Sequence, residues 1–242
     1  MNNINETSNR NEMNNTVANN TVANNETLNA LAALGKSWQK KVADLRKEIG
    51  RDMGKVVAAL PAGCMRFSEP MAFGFQTQFD PDGQTDIIKG FKVSDTGMPY
   101  FIGWSSANED SFINSYPLAQ IFRLLACVPY FASLMEECRK KADAVRAQIL
   151  AELKGLLETM GNKEFEEIYE DWCLPDDCGE FERLAPLCIR LDADGNVCGE
   201  FSDTKGNEKE LPLTEFEADE IADRFAVLDW TPVCAQIKDS VN

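Results

Sequence analysis

The sequence predicts an α+β protein in which two long helices flank an antiparallel sheet of three or four strands, followed by a small acidic α+β module. Three observations support this prediction. Apolar residues repeat with heptad spacing over residues 28–49, side chains alternate with a period of two after Pro61, and acidic residues concentrate in residues 161–242. These features divide the chain into a tail at 1–26, a body at 27–160 and the acidic module.

The first 26 residues predict a flexible tail. They are rich in asparagine, contain two tandem copies of Asn-Asn-Thr-Val-Ala, and have few large apolar side chains to offset the entropy lost on ordering. A segment that becomes ordered on a partner is the alternative.

Residues 27–60 predict a long helix, which Pro61 ends because proline lacks an N–H group. Its apolar seam alternates spacings of three and four residues, as in coiled coils. The seam therefore pairs either with the second long helix or with a second copy of the chain, as a homo-oligomer. Its members are Leu28, Leu31, Gly35, Trp38, Val42, Leu45 and Ile49.

Basic residues fill the outer positions of the same helix. This basic face is expected to be solvated, as polar faces of amphipathic helices usually are. Contact with nucleic acid or with an acidic surface is the alternative. The basic residues are Lys36, Lys40, Lys41, Arg46, Lys47, Arg51 and Lys55.

Strands are predicted where the period of two begins, at residues 71–79, 86–93 and 100–104. They are expected to form an antiparallel meander, with an Asp-Pro-Asp-Gly turn after the first strand. Three phenylalanines share one face of the first strand, and we expect them to pack against the helices: Phe73, Phe75 and Phe79.

Pro117 opens a second helical region. Pro129 should break or kink it, and residues 130–160 predict one helix of about 46 Å. Antiparallel packing of this helix on the first would bury both apolar seams.

The acidic module is predicted to contain a short helix after Asn162, a hairpin that turns at residues 192–196, and a final helix. The short helix is expected to carry Trp172 on its apolar face. Thr214 and Glu217 have the spacing of a capping box at the start of the final helix. The inner face of the hairpin is expected to hold Leu187, Ile189, Leu191, Val197 and Phe201.

Composition excludes several kinds of chemistry. The chain has no histidine, which removes Ser-His and Cys-His nucleophile systems and histidine metal ligands. Its net charge of −16 disfavours a large surface for duplex nucleic acid. No phosphate-binding glycine loop and no isolated nucleophile can be found. The sequence therefore predicts a protein without enzymatic activity or a cofactor.

The start of the chain has neither a basic region nor an apolar core typical of a signal peptide. The longest apolar stretch, residues 124–135, is too short to cross a bilayer. We therefore expect a cytoplasmic protein that does not bind membranes.

Four cysteines lie close together in the acidic module. Their spacing is wider than that of usual zinc knuckles, so buried free thiols are the expectation, with a zinc site or disulfides as alternatives. The hairpin register places two of them, Cys188 and Cys198, on one face. The four are Cys173, Cys178, Cys188 and Cys198.

The leading functional prediction is a protein–protein interaction in which the acidic module docks a partner with a basic surface. Residues 161–242 hold 22 of the 40 acidic residues but only 7 of the 24 basic ones. The short, asparagine-rich chain fits an accessory protein of a phage or mobile element. The carboxylates predicted to face the partner are Asp176, Asp177, Glu180, Glu182, Glu215, Asp219, Glu220 and Asp223.

The alternative is a single-stranded nucleic-acid-binding protein that uses the phenylalanine-rich sheet. Aromatic side chains on a sheet can stack on unpaired bases, and cations nearby can bind phosphates. In this alternative the acidic module recruits other proteins or masks the site. The stacking residues would be Phe73, Phe75 and Phe79, with Arg66, Lys89 and Lys92 as the cations.

Overall fold

The computed structural model describes residues 5–74, 85–104, 116–160, 171–175 and 181–234. Helices and two antiparallel sheets occur together, which confirms the predicted α+β class. The elements are α1 (Asn5–Ala58), β1 (Cys64–Gly74), β2 (Thr85–Val93), β3 (Pro99–Trp104), α2 (Leu118–Cys127), α3 (Ala132–Thr159), β4 (Trp172–Pro175), β5 (Phe181–Leu191), β6 (Val197–Asp203), β7 (Glu208–Pro212) and α4 (Ala218–Ala226).

The two long helices, α1 and α3, pack antiparallel, as predicted. Near the start of the shared interface, Trp38 Nε1 donates a hydrogen bond of 2.6 Å to Glu152. Further along α1, Lys141 Nζ donates one of 3.0 Å to Asp52. Residue numbers therefore rise along α1 while they fall along the facing side of α3, as in an antiparallel pair of helices.

The apolar seam of α1 is buried within the chain, from Leu31 at 7% exposure to Ile49 at 0%. Its cover includes α4, whose Phe225 ring meets the Trp38 ring edge to face at 5.6 Å. The chain's own core thus occupies the 28–49 seam, which disfavours a homo-oligomer through it, and that oligomer stays an untested prediction.

The backbone of α1 is helical from Asn5, where the sequence predicts a flexible tail. An asparagine-rich segment starts a helix poorly, but continuing an existing helix does not require a new nucleus. The division into a tail at 1–26, a body at 27–160 and a module at 161–242 stays a prediction.

Two glycines inside α1 allow other elements to come close. A Cβ atom at Gly35 would lie 2.6 Å from the carbonyl oxygen of Phe225, and one at Gly54 would lie 2.0 Å from that of Gly97. Because Gly35 has no side chain, α4 can pack closely against α1. Gly54 likewise allows the turn between β2 and β3 to approach the helix.

The first sheet has the strand order β1-β2-β3, which confirms the predicted meander. However, β1 begins at Cys64 rather than at Met71. The register shifts between Arg66 and Met71, and this irregularity interrupts the alternation by which a strand is recognised. Phe75 and Phe79 lie outside the described residues.

The inner face of the first sheet packs on the helices through a cluster of aromatic rings. Phe91 lies at its centre and is fully buried. Its ring contacts those of Phe67, Phe101 and Phe131 at centroid distances of 5.3–5.7 Å. Phe67, Phe91 and Phe101 of the sheet thus form core, while the packing of Phe73, Phe75 and Phe79 stays a prediction because their side chains lie outside the description.

Pro129 breaks the second helical region, as predicted. Val128 is extended between α2 and the single 3-10 turn at Pro129–Phe131 that leads into α3. Among the described residues, no single helix is both long and apolar enough to cross a membrane. Leu118–Cys127 and Pro129–Thr159 meet that criterion only as a pair, which is bent by 107°.

The second sheet has the strand order β4-β5-β6-β7, and its β5–β6 hairpin turns at residues 192–196, as predicted. Two predictions here are wrong. Trp172 begins β4 instead of lying on a helix, and its ring packs on Phe201 and Phe216. Leu187 is 42% exposed, because a register shift beside it turns the side chain out of the inner face.

The final helix, α4, buries Ala218, Ile221, Ala222 and Phe225, as predicted. The prediction of a capping box that starts at Thr214 is wrong. The N-cap residue is Glu217, and its side chain makes no capping hydrogen bond. Its carboxylate instead pairs with Arg139 of α3.

Candidate functional site

The outer face of the first sheet carries two adjacent rows of side chains. Cys64, Lys92 and Tyr100 are register partners across β1, β2 and β3, and so form one row. Arg66, Gly90 and Ile102 form the next row. Since neighbours in a strand point to opposite faces, these residues face away from the aromatic core beneath Phe91.

This outer face forms the floor of an open cavity of about 820 Å³. Such a volume is typical of sites for small ligands or for a short piece of a polymer. The described residues that line the cavity are Pro61, Ala62, Cys64, Arg66, Lys92, Tyr100, Phe101 and Ile102.

The cavity is positively charged. Arg66 and Lys92 are exposed, and among the described residues neither has a carboxylate within salt-bridge distance. None of the described lining residues is acidic. Two cations on an apolar floor, with no carboxylate among the described lining residues, form a surface suited to an anion.

A bulge in β2 shapes this face. The register with β3 shifts between Ile88 and Gly90, which leaves Lys89 as an exposed extra residue. Gly90 has a φ of +150°, and a Cβ atom there would lie 1.9 Å from the carbonyl oxygen of Met65. Only glycine fits where β1 and β2 come this close.

One wall of the cavity has a strained backbone. Ala62 has a φ of +59° and ψ of +20°, the left-handed region that glycine favours, and Gly63 follows with a φ of +57°. A non-glycine residue held in this conformation beside a cavity is a feature often found at functional sites.

The predicted acidic docking residues are placed very differently from one another. Asp176, Asp177 and Glu180 lie outside the described residues. Glu182 pairs with Lys209, and Glu220 with Arg224 at 3.0 Å. The remaining three, discussed next, are Glu215, Asp219 and Asp223.

Asp219 is only 3% exposed, which corrects its prediction as a docking residue. It accepts hydrogen bonds from Arg46 and from the backbone N–H of Leu118. Asp223 is half exposed and lies 3.6 Å from the same arginine. Glu215 is exposed, at the end of a 3-10 turn. Asp219 and Asp223 therefore join the acidic region to α1, and Asp219 also joins it to α2.

A second buried carboxylate strengthens this junction. Burial raises the pKa of Glu217 above its ordinary value, although the charge of Arg139 opposes the rise. The same guanidinium stacks 3.7 Å above the ring of Phe122. This arrangement joins α2, α3 and α4, and we assign it a structural role.

Two of the four clustered cysteines can be located by their side chains. Cys188 and Cys198 are both buried, on the face opposite Ile189, as the hairpin register predicts. The side chain of Cys173 and the whole of Cys178 lie outside the description. Among the described residues, no group of three or more metal-ligating side chains comes together.

No protein-family model matches this sequence, and neither a curated protein nor a solved structure is detectably similar to it.

Sequence reasoning located the cations of the site, Arg66 and Lys92, but not the residues that complete it. Tyr100 and Cys64 join them only through the strand register. The local signal was the alternation of apolar and polar residues at 64–67, which the irregular middle of β1 obscured.

Proposed function

We propose that this protein binds single-stranded nucleic acid on the outer face of the first sheet and has no enzymatic activity. The observation that carries the proposal is the pair of exposed cations, Arg66 and Lys92, beside Tyr100 in one open cavity. Arginine and lysine bind phosphate, and a tyrosine ring offers a stacking surface for a base.

The form of the cavity favours a single strand over a duplex. Stacking on Tyr100 requires a base that is not already paired and stacked on both sides. The charge of the whole chain would repel the many phosphates of a duplex footprint. A short stretch of single strand needs only the local positive face.

The high net negative charge is compatible with this function because of its distribution. Residues 161–242 contain 22 of the acidic residues, whereas the cavity belongs to residues 61–102. None of the described residues that line the cavity is acidic, so a phosphate beside Arg66 and Lys92 meets no carboxylate among them.

Docking of a basic protein partner by the acidic module stays a second proposal, and a specific observation weakens it. Of the five described carboxylates predicted to face that partner, four lie within ion-pair distance of the chain's own cations. The exposed carboxylate of Glu215 is the remaining one, and one carboxylate is a small docking surface.

The test is fluorescence anisotropy of the full chain with a labelled oligothymidine of about 25 nucleotides and with the matching duplex. We expect the single strand to bind more tightly. The double variant Arg66→Gln with Lys92→Gln should weaken binding at least tenfold, because it removes both phosphate contacts. Tyr100→Leu should also weaken it, by about 1–3 kcal/mol, through loss of stacking.

The matched control is Lys140→Gln with Lys205→Gln, which removes two exposed cations that lie outside the cavity. It changes net charge equally and should leave affinity nearly unchanged. Equal losses in the two double variants, or no binding by the intact protein, would overturn the proposal.

A further inference from the structure

Four of the seven basic residues on the outer face of α1 form a line that has no ion-pair partner in the part of the chain that the structure describes. They are exposed, whereas the other three, Lys41, Arg46 and Lys55, pair with Glu152, Asp219 and Asp52. We call the four the basic stripe: Lys36, Lys40, Lys47 and Arg51.

Helix geometry places the basic stripe on one narrow surface. At about 100° per residue, its four members fall within roughly 60° of arc, on the side of α1 opposite the buried seam. At about 1.5 Å per residue, the stripe is about 22 Å long. It is therefore straight, extended and directed into solvent.

The stripe has little negative charge to neutralise it. Among the described residues, no carboxylate lies within salt-bridge distance of its four members. Asp44 is exposed beside it, while Glu48 is directed toward Lys141 at 2.9 Å. The described part of the chain thus presents a local positive surface here, despite a net charge of −16.

We propose that the basic stripe binds the phosphate backbone of the same single strand that occupies the cavity. This inference rests on the proposed function and extends it by a second contact surface. Cations about 6 Å apart, at Lys36 and Lys40 and again at Lys47 and Arg51, follow a polyanion along the helix without reading its bases.

An acidic surface on a second copy of the chain is the other occupant to consider, and the structure favours it less. Asp219, Glu220 and Glu182 already pair with cations of their own chain. A surface neutralised in this way is a poor complement to four free cations. A phosphate backbone carries its charge uncompensated.

The experiment measures how binding of the 25-nucleotide strand depends on salt. For single strands, the slope of log K against log salt changes by about 0.7 for each phosphate contact. Replacing all four stripe residues by glutamine should reduce the slope by about 2–3 and weaken binding at least tenfold. Binding of a six-nucleotide strand, long enough for the cavity alone, should stay unchanged.

A charge-matched control replaces Lys140, Lys154, Arg183 and Lys205 by glutamine, all outside the stripe and the cavity, and should keep the full slope. Circular dichroism checks that both variants remain folded. If the stripe variant keeps the wild-type slope while the Arg66 and Lys92 variant loses affinity, this inference fails and the proposed function stands. If the intact chain binds no oligonucleotide, both fail.

Sedimentation at low and high salt tests the competing occupant. A salt-sensitive dimer that disappears in the stripe variant, with oligonucleotide binding unchanged, would overturn the inference. A monomer at both salt concentrations, together with the reduced slope, supports it.

Discussion

The side chains of Arg46 and Asp219 are hydrogen-bonded, although the two residues lie 173 positions apart in the chain. The same Asp219 oxygen accepts the backbone N–H of Leu118 at 2.7 Å. One buried carboxylate thus links α1, α4 and the N-terminus of α2. The module that the sequence presents as a separate acidic body is attached to the helices by its own acidic residues.

Asp219→Ala should therefore destabilise the protein strongly. It leaves the Arg46 guanidinium without its closest partner and the Leu118 N–H without an acceptor, and breaking a buried pair costs about 3 kcal/mol or more. Urea unfolding measures the loss. Glu215→Ala, at an exposed position of the same region, is the control and should change stability by less than about 0.5 kcal/mol. Equal effects of the two substitutions would show that the pair is unimportant.

Stability should fall in acid because of two carboxylates between α1 and α3. Burial acts to raise the pKa of Glu152, but hydrogen bonds from Lys41 and Trp38 outweigh it and hold the pKa below its ordinary value. Burial also acts to raise the pKa of Asp52. Hydrogen bonds from Lys55 and Lys141 outweigh this effect and hold the pKa of Asp52 below its ordinary value. A carboxyl group whose pKa is lowered by folding stabilises the fold at pH values above its ordinary pKa. This contribution is lost as the pH falls through the lowered pKa of the folded state.

The measurement is the free energy of unfolding as a function of pH. Glu152→Gln with Asp52→Asn should be less stable than wild type near neutral pH. The difference should shrink as the pH falls from about 5 to 2, because the wild type then loses the same interactions. If the stability curves of the wild type and the double variant stay parallel over that pH range, these two carboxylates are not the cause of the loss of stability in acid.

Glycine-to-alanine substitutions in the helices should stabilise the protein at one position and destabilise it at two others. Helix propensity alone predicts a gain of about 1 kcal/mol for each. At Gly35 and Gly54 the new Cβ atom would collide with a backbone oxygen, so we expect losses instead. Gly155 of α3 has open space around it and is the matched control, which should gain stability. Thermal melts of the three variants distinguish the outcomes.

Cysteine labelling should report the cavity directly. Burial raises the pKa of the Cys138 thiol to about 11, so iodoacetamide should modify this residue only after unfolding. Exposed Cys127 should react readily in the native protein, and half-buried Cys64 more slowly. Single-stranded oligonucleotide should slow the reaction of Cys64 and leave that of Cys127 unchanged, as followed by mass spectrometry. Unaltered labelling of Cys64 under saturating ligand would place the binding site elsewhere.

Local patterns in the sequence were sufficient for much of the fold. The seam around Trp38 predicts α1 and the face it buries, and Pro129 predicts the break before α3. The hairpin turn is fixed by Asp192, whose carboxylate accepts the backbone N–H groups of Asp194 and Asn196. Each of these features depends on residues close together in the chain.

The remaining features depend on contacts between distant segments. Glycine at position 35 disfavours a helix locally, and only the close approach of Phe225 explains it. The spacing of Thr214 and Glu217 predicts a capping box, but the Glu217 carboxylate pairs with the distant Arg139. The cavity requires a register across three strands that brings Tyr100 beside Lys92. No local pattern contains that information, so charge alone pointed toward the acidic module instead.

The edge-to-face contact of Trp38 with Phe225 has a consequence for biosynthesis. The ribosome translates Trp38 early and Phe225 almost 190 residues later. At about 5–20 residues per second, the interval between them is on the order of 10–40 s. Until α4 is made, the apolar seam around Trp38 lacks the part of its cover that Phe225 supplies, so we expect nascent chains that end before α4 to aggregate more readily than the full chain.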